Sequence, residues 1–124
     1  MPADILVIED EAVIGKNILI HLQRHGDAVR LAGSAEEGLD LLDSMRPAAV
    51  LLDFKLPGID GMQAMARIRA FDPGIRVLML TGPGGVQMAV DAMKAGAVDF
   101  LTKPVALSSL RLPLDKALGA APRG

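Results

Sequence analysis

Polar side chains end four short apolar runs of this 124-residue chain. They are Glu9 and Asp10 after the first run, Asp53 after another, and then Thr81 and Lys103. Three carboxylates held together repel one another, and the pKa of each would rise unless a cation joined them. Because these acids offer only oxygen, they favour a hard divalent ion, which is Mg²⁺ with Mn²⁺ as the alternative.

The remaining two side chains suit the handling of a phosphoryl group. A lysine ammonium and a threonine hydroxyl can each hold one oxygen of such a group while a metal holds the third. Carboxylates act as phosphoryl nucleophiles. Asp53 is the candidate because, among the polar residues that end these apolar runs, it is the lone acid between the acidic pair and Lys103. The residues permit this chemistry without requiring it, since Asp53 could equally cap a helix or face water. The pair Glu9-Asp10 could likewise cap the first helix.

An alternation of apolar runs with segments of helical period, repeated five times, must position these residues. Ser34 can cap the second helix, with Glu37 completing a capping box. Pro113 should kink or delay the last helix. The expected strands are 4–9, 28–32, 48–52, 75–80 and 97–101, and the expected helices are 11–25, 35–45, 62–70, 86–95 and 108–118.

Apolar strands separated by helices predict a single α/β domain, a parallel sheet of the (βα)₅ type with right-handed crossovers. In such a sheet all the carboxyl ends of the strands share one edge, where ligands bind. We therefore expect the polar residues, distant in sequence, to meet in one crevice. The domain should cover residues 1–119, with 120–124 a tail or the start of a linker.

The composition excludes several other classes of protein. The chain has no Cys, so it can form neither a disulfide framework nor a thiolate metal site. Three Phe, no Trp or Tyr and a net charge of −2 give neither a stacking platform nor a basic surface for nucleic acid. No apolar stretch reaches the roughly 20 residues that span a bilayer. We expect a cytoplasmic protein that binds neither nucleic acid nor membrane directly.

Four segments together resemble one known family. They are VIEDE at 7–11, LLDFKLPGIDG at 51–61, MLTG at 79–82 and DFLTKP at 99–104. Their order and spacing are similar to those of the receiver domain of bacterial two-component response regulators, most of all to receivers of NtrC/FixJ-type transcription regulators. The resemblance implies a doubly wound, flavodoxin/CheY-like sheet with strand order 2-1-3-4-5.

Carried over residue by residue, the resemblance also implies roles at the site. Asp53 would be the phosphoacceptor. Thr81 and Lys103 would contact the phosphoryl oxygens, and Thr81 with Phe100 would form the switch. The implied metal ligands are Asp10, Asp53, the backbone carbonyl of Lys55, and Glu9 through water or its longer arm. The Lys103-Pro104 peptide bond is expected to be cis.

The resemblance implies a signalling switch that catalyses only its own phosphorylation and dephosphorylation. Its partner would be a sensor histidine kinase or phosphotransfer protein, and a homodimer could form through the fourth helix, fifth strand and fifth helix. The output would be transcription, through a domain outside this chain. The alternatives are a stand-alone receiver and a pseudo-receiver that is never phosphorylated. A phosphatase of the haloacid-dehalogenase type is disfavoured, because Ile8-Glu9-Asp10-Glu11 lacks its Asp-x-Asp.

Overall fold

The computed structural model describes residues 4–119 and shows five strands and five α-helices in alternation within that range. The expected tail at 120–124 lies outside the described residues. The strands are β1 (Asp4–Ile8), β2 (Ala28–Ala32), β3 (Ala49–Asp53), β4 (Arg76–Thr81) and β5 (Asp99–Thr102). The helices are α1 (Ala12–Arg24), α2 (Ala35–Met45), α3 (Gly61–Phe71), α4 (Val86–Lys94) and α5 (Arg111–Gly119), with a 3₁₀ turn at Leu107–Ser109.

The five strands form one parallel sheet in the order β2-β1-β3-β4-β5. This arrangement confirms the predicted fold and strand order. All of the carboxyl ends of the strands consequently lie at the same edge of the sheet. The register places Ile8 beside Leu52 and Asp53 beside Leu80, so the ends of the three central strands are nearly level.

Side chains that alternate along the strands build a core on each face of the sheet. On one face Leu6, Val50 and Met79 are buried under α2, α3 and α4. On the other face Val7, Leu51 and other strand residues are buried with side chains of α1 and α5. Since β1, β3 and β4 are covered on both faces, they read as unbroken apolar runs in the sequence.

Two predicted boundaries near the carboxyl end of the chain were wrong. β5 begins at Asp99 rather than at residue 97, because Gly96 takes a positive φ of 115° and the Ala97 N–H still donates to the Ala92 carbonyl at the end of α4. α5 begins at Arg111 rather than at residue 108. Pro113 is then the third residue of the helix, where its missing N–H needs no acceptor within the helix.

The helix caps differ from the expected ones in part. Ser34 Oγ accepts from the Glu37 N–H at 3.1 Å, as a capping box requires, but the Glu37 carboxylate accepts from the Gly33 N–H instead of from Ser34. A complete capping box that was not predicted from the sequence starts α3. There Asp60 Oδ1 accepts from the Gln63 N–H and Gln63 Oε1 accepts from the Asp60 N–H.

The loop between β3 and α3 is closed at its base. The Gly61 N–H donates to the Phe54 carbonyl at 2.9 Å. A Cβ at Gly61 would stand 2.7 Å from the Phe54 Cα, so a side chain would force the two backbone segments apart. Glycine therefore allows the contact that pins this loop beside Asp53.

Candidate functional site

The structure brings the predicted acidic residues together at the carboxyl edge of the sheet. Glu9 and Asp10 follow β1, and Asp53 is the last residue of β3. One carboxylate oxygen of each lies within 4.8 Å of the others. Glu9 and Asp53 are buried, whereas Asp10 is exposed and leaves the cluster open on one side.

Lys103, which follows β5, supplies the positive charge at the centre of this cluster. Its Nζ lies 2.6 Å from Glu9 Oε1 and 3.0 Å from Asp53 Oδ2. Its backbone N–H donates to the Thr81 carbonyl at 2.7 Å, which ties the residue to the end of β4. The Lys103-Pro104 peptide bond is cis. The ammonium of Lys103 is therefore held against two buried carboxylates by both its side chain and its backbone.

The pKa of the Glu9 carboxyl is changed first by burial and then by the charges around it. Burial raises the pKa of the Glu9 carboxyl to about 7, and the Asp53 charge adds to the increase, while Lys103 and the Glu11 N–H act against it. Burial also acts to lower the pKa of the Lys103 ammonium, but its bonds to Glu9 and Asp53 outweigh that effect and raise the pKa overall. A further cation at this site would relieve the repulsion between the acids.

Asp53 is fixed through both of its carboxylate oxygens. Oδ2 accepts from Lys103 Nζ, and Oδ1 accepts from the Lys55 N–H at 3.3 Å. The second bond places the backbone of Lys55 directly beside the carboxylate. The family resemblance implies that the carbonyl of this residue is a metal ligand. The carboxylate therefore has a defined orientation, although Asp53 lies at the open edge of the sheet.

Thr81 and Phe100 lie on neighbouring strands with contrasting exposure. Thr81 is buried, and its Oγ1 makes only a long 3.5 Å hydrogen bond to the Leu101 carbonyl. Phe100 is 40% exposed, so its ring lies at the surface rather than in the core. A phenylalanine in a strand could equally be an ordinary core residue, and the exposure of Phe100 disfavours that role.

A cavity of about 530 Å³ opens directly over the cluster. Gly82 lines it without a side chain, and a Cβ there would meet no atom within 4 Å. The cavity therefore has room for a ligand of phosphate size next to Asp53. Its lining residues are Asp10, Glu11, Ile14, Asp53, Lys55, Gly82, Pro83, Lys103 and Pro104.

Two features of the site were missed at the sequence level. Glu9 bonds mainly within the protein, since Oε1 pairs with Lys103 and Oε2 accepts from the Glu11 N–H at 3.1 Å. Glu11 itself reaches the site, with Oε1 at 3.6 Å from Lys103 Nζ. The signal available in the sequence was a third consecutive acid after the first strand, but Glu11 was predicted only as the first residue of the helix 11–25.

Among residues 4–119 no helix has the length and apolarity needed to cross a membrane.

Comparison with known proteins identifies the family. Residues 5–115 match the model of the response regulator receiver domain. The chain is 37% identical over 110 residues to the response regulator MprA of Mycolicibacterium vanbaalenii, which covers 89% of this chain and 48% of that protein. It is 36% identical over 117 residues to the transcriptional regulatory protein FixJ of Bradyrhizobium diazoefficiens, covering 94% and 57%.

A solved structure agrees with these sequence matches. NtrX from Brucella abortus superposes with a TM-score of 0.92 at 35% identity, over 96% of this chain and 27% of that one. The chain thus spans about half the length of MprA and of FixJ, and about a quarter of NtrX. The matched residues include every strand end that forms the acidic site. This chain belongs to the receiver domains of two-component response regulators.

Proposed function

We propose that this domain is a phosphorylation-dependent switch and that Asp53 accepts the phosphoryl group. The proposal rests on the position of the Asp53 carboxylate and on the contacts that hold it. It is buried, held at both oxygens, and placed in the wall of a cavity large enough for a phosphoryl group. A carboxylate fixed in this way is prepared for in-line attack, because little orientational freedom remains to be lost.

The donor set fits Mg²⁺. The three acids offer oxygen ligands close together, and an ion bound to them would reduce the repulsion between their charges. Asp10, Asp53 and the Lys55 carbonyl would hold the ion, with Glu9 assisting through water and Mn²⁺ as a substitute. When bound, such an ion neutralises charge on the phosphoryl oxygens.

The protein's own groups account for the rest of the transfer. A carboxylate oxygen of Asp53 forms the new bond to phosphorus as the nitrogen–phosphorus bond of a phosphohistidine breaks and the imidazole leaves. Lys103, now bonded to Asp53 Oδ2, would pair with one phosphoryl oxygen, and the Thr81 hydroxyl with another. Attack of water on the phosphorus breaks its bond to the Asp53 oxygen, releases inorganic phosphate and returns Asp53 to its carboxylate. The domain therefore acts on itself and not on an external substrate.

The switch would run from Thr81 to the surface. The weak bond of Thr81 to the Leu101 carbonyl is easily exchanged for a bond to a phosphoryl oxygen. Movement of Thr81 toward Asp53 would make space for the exposed Phe100 ring to turn inward. The surface of α4, β5 and α5 would change as a result, which is a shift of population driven by a local change of charge.

The partners follow from this function. A sensor histidine kinase or a phosphotransfer protein in the cytoplasm would supply the phosphoryl group. Homodimerisation through α4, β5 and α5 is supported by apolar side chains that this face exposes. The output would be regulation of transcription by a domain outside this chain, in line with the similarity to the transcriptional regulatory protein FixJ. The apolar side chains exposed on the face formed by α4, β5 and α5 are Val86, Val90, Met93, Val98, Phe100 and Leu112.

Intact mass after incubation with acetyl phosphate and Mg²⁺ tests the proposal. We expect one phosphoryl group to be added to the wild type, and none to Asp53→Asn or in the presence of EDTA. Asp40→Asn is the matched control, because it makes the same change at an exposed acid of α2. A folded wild type that gains no mass with any phosphodonor would overturn the proposal and favour a pseudo-receiver.

A further inference from the structure

Glu11 lies at the N-terminal cap of α1 but does not cap the helix with its side chain. It is the N-cap residue of α1, where a side chain ordinarily accepts from a free backbone N–H of the first turn. Its carboxylate makes no such bond. Instead it turns to the cavity, which it lines, and its Oε1 lies 3.6 Å from Lys103 Nζ. The side chain is therefore directed at the site and not at the helix.

The negative charge of Glu11 is not required to pair with the Lys103 ammonium. Lys103 is already paired at 2.6 Å and 3.0 Å with Glu9 and Asp53, so Glu11 is the third and most distant carboxylate around one ammonium. Its side chain is 62% exposed, whereas those of Glu9 and Asp53 are buried. Glu11 thus adds negative charge at the mouth of the cavity, where an incoming phosphate group must pass.

We propose that Glu11 is a specificity-determining residue that disfavours small dianionic phosphodonors at this site. The inference rests on the proposed role of Asp53. A free dianion can offset the repulsion of Glu11 only through the contacts of its phosphoryl group, because the rest of the molecule is small. A phosphohistidine carried by a protein has a contact surface that offsets the same repulsion. Glu11 would in this way suppress phosphorylation by small molecules and leave the kinase as the effective donor.

The experiment compares phosphorylation rates by intact mass for the wild type, Glu11→Gln and Glu11→Asp. Each protein is assayed at saturating Mg²⁺ with acetyl phosphate, a dianion, and with phosphoramidate, which is mostly monoanionic. At low salt we expect Glu11→Gln to react about two- to fivefold faster with acetyl phosphate and less than twofold faster with phosphoramidate. Glu11→Asp keeps the charge and should match the wild type. Asp40→Asn again controls for net charge.

Two readouts separate repulsion from a structural role. The advantage of Glu11→Gln should disappear at about 1 M salt, where the screening length falls to about 3 Å. Inorganic phosphate should also bind Glu11→Gln more tightly by the same factor, as measured by shifts of backbone amide resonances around the cavity. That titration requires no phosphotransfer.

The outcomes distinguish this inference from the proposed function. Equal or slower reaction of Glu11→Gln with acetyl phosphate, or a gain that is independent of salt, would overturn the role of Glu11 and leave Asp53 as the acceptor. A wild type that is not phosphorylated would overturn the role of Asp53. In that case the phosphate titration still decides whether Glu11 repels anions.

Discussion

Two clusters of charged side chains in this domain have opposite characters. At the carboxyl edge of the sheet, Lys103 faces Glu9, Asp53 and Glu11, with Asp10 nearby, and a cavity opens above them. The second cluster lies on α5 and the loop before β2. There Arg111 bonds the buried Asp27 and donates from Nε to the exposed Asp115 at 2.8 Å.

The difference lies in how completely the acids are neutralised. The Arg111 guanidinium presents a planar fork that bonds two carboxylates at once, and only Asp27 is buried. At the carboxyl edge two buried acids share one ammonium, and the pKa of Glu9 is raised to about 7. The Arg111 guanidinium pairs with both of its carboxylates, whereas at the candidate site Glu9, Asp53 and Glu11 surround a single ammonium. A cation bound there would reduce the repulsion between these acids.

The largest expected effect on stability comes from breaking the ion pair between Arg111 and Asp27. Arg111→Met should lower the free energy of unfolding by about 2–3 kcal/mol, because it removes the guanidinium that pairs with the buried Asp27 carboxylate. Chemical denaturation at pH 7 measures this. Asp115→Asn, at the exposed end, should cost less than about 1 kcal/mol. The double variant Asp27→Asn/Arg111→Met should lose less free energy of unfolding than the losses of Asp27→Asn and Arg111→Met added together. Additive losses would show that the two residues are not coupled.

Removal of a charged side chain at the carboxyl edge of the sheet should instead raise the free energy of unfolding. Glu9→Gln should stabilise the metal-free domain by about 1–2 kcal/mol at pH 8, because it removes a carboxylate whose ionisation is disfavoured. The pKa of Glu9 is higher in the folded than in the unfolded state, so the folded state binds the extra proton between pH 4.5 and about 7. Wild-type stability is therefore lost relative to Glu9→Gln as the pH rises through that range.

Denaturation in EDTA at several pH values checks this expectation. The difference between Glu9→Gln and the wild type should be small near pH 4.5 and constant above about pH 7. Asp27→Asn serves as the contrast, since it should destabilise at pH 8. A destabilising Glu9→Gln at pH 8 would mean that Lys103 fully compensates Glu9, and the two clusters would then be alike.

The smallest effect expected is that of added ion. Mg²⁺ at about ten times its dissociation constant should stabilise the wild type by roughly 1.4 kcal/mol. Asp10→Asn should lose most of this gain, while Arg111→Met should retain it despite its lower stability. Thermal unfolding with and without Mg²⁺ measures both. An equal gain in Asp10→Asn would place the ion elsewhere.

The sequence predicted the α/β fold well because its strands are buried on both faces and separated by clear helical segments. It also predicted which acids meet at the carboxyl edge, since parallel strands determine that edge. It could not predict the pair Asp27 and Arg111, which are 84 positions apart and carry no local signal. The direction of the Glu11 side chain was likewise inaccessible, because an exposed acid at a helix start is ordinarily a matter of capping.

The closed base of the β3–α3 loop has a consequence for how freely this domain can vary. Because the Gly61 N–H is bonded to the Phe54 carbonyl, residues 55–60 form a ring whose two ends are fixed next to Asp53. Residues added at the tip of this ring would lengthen it without moving its ends, and the entropy of closing a longer loop grows only slowly. The tip can therefore diverge between relatives, or accept an inserted peptide tag, while the carboxylate keeps its place.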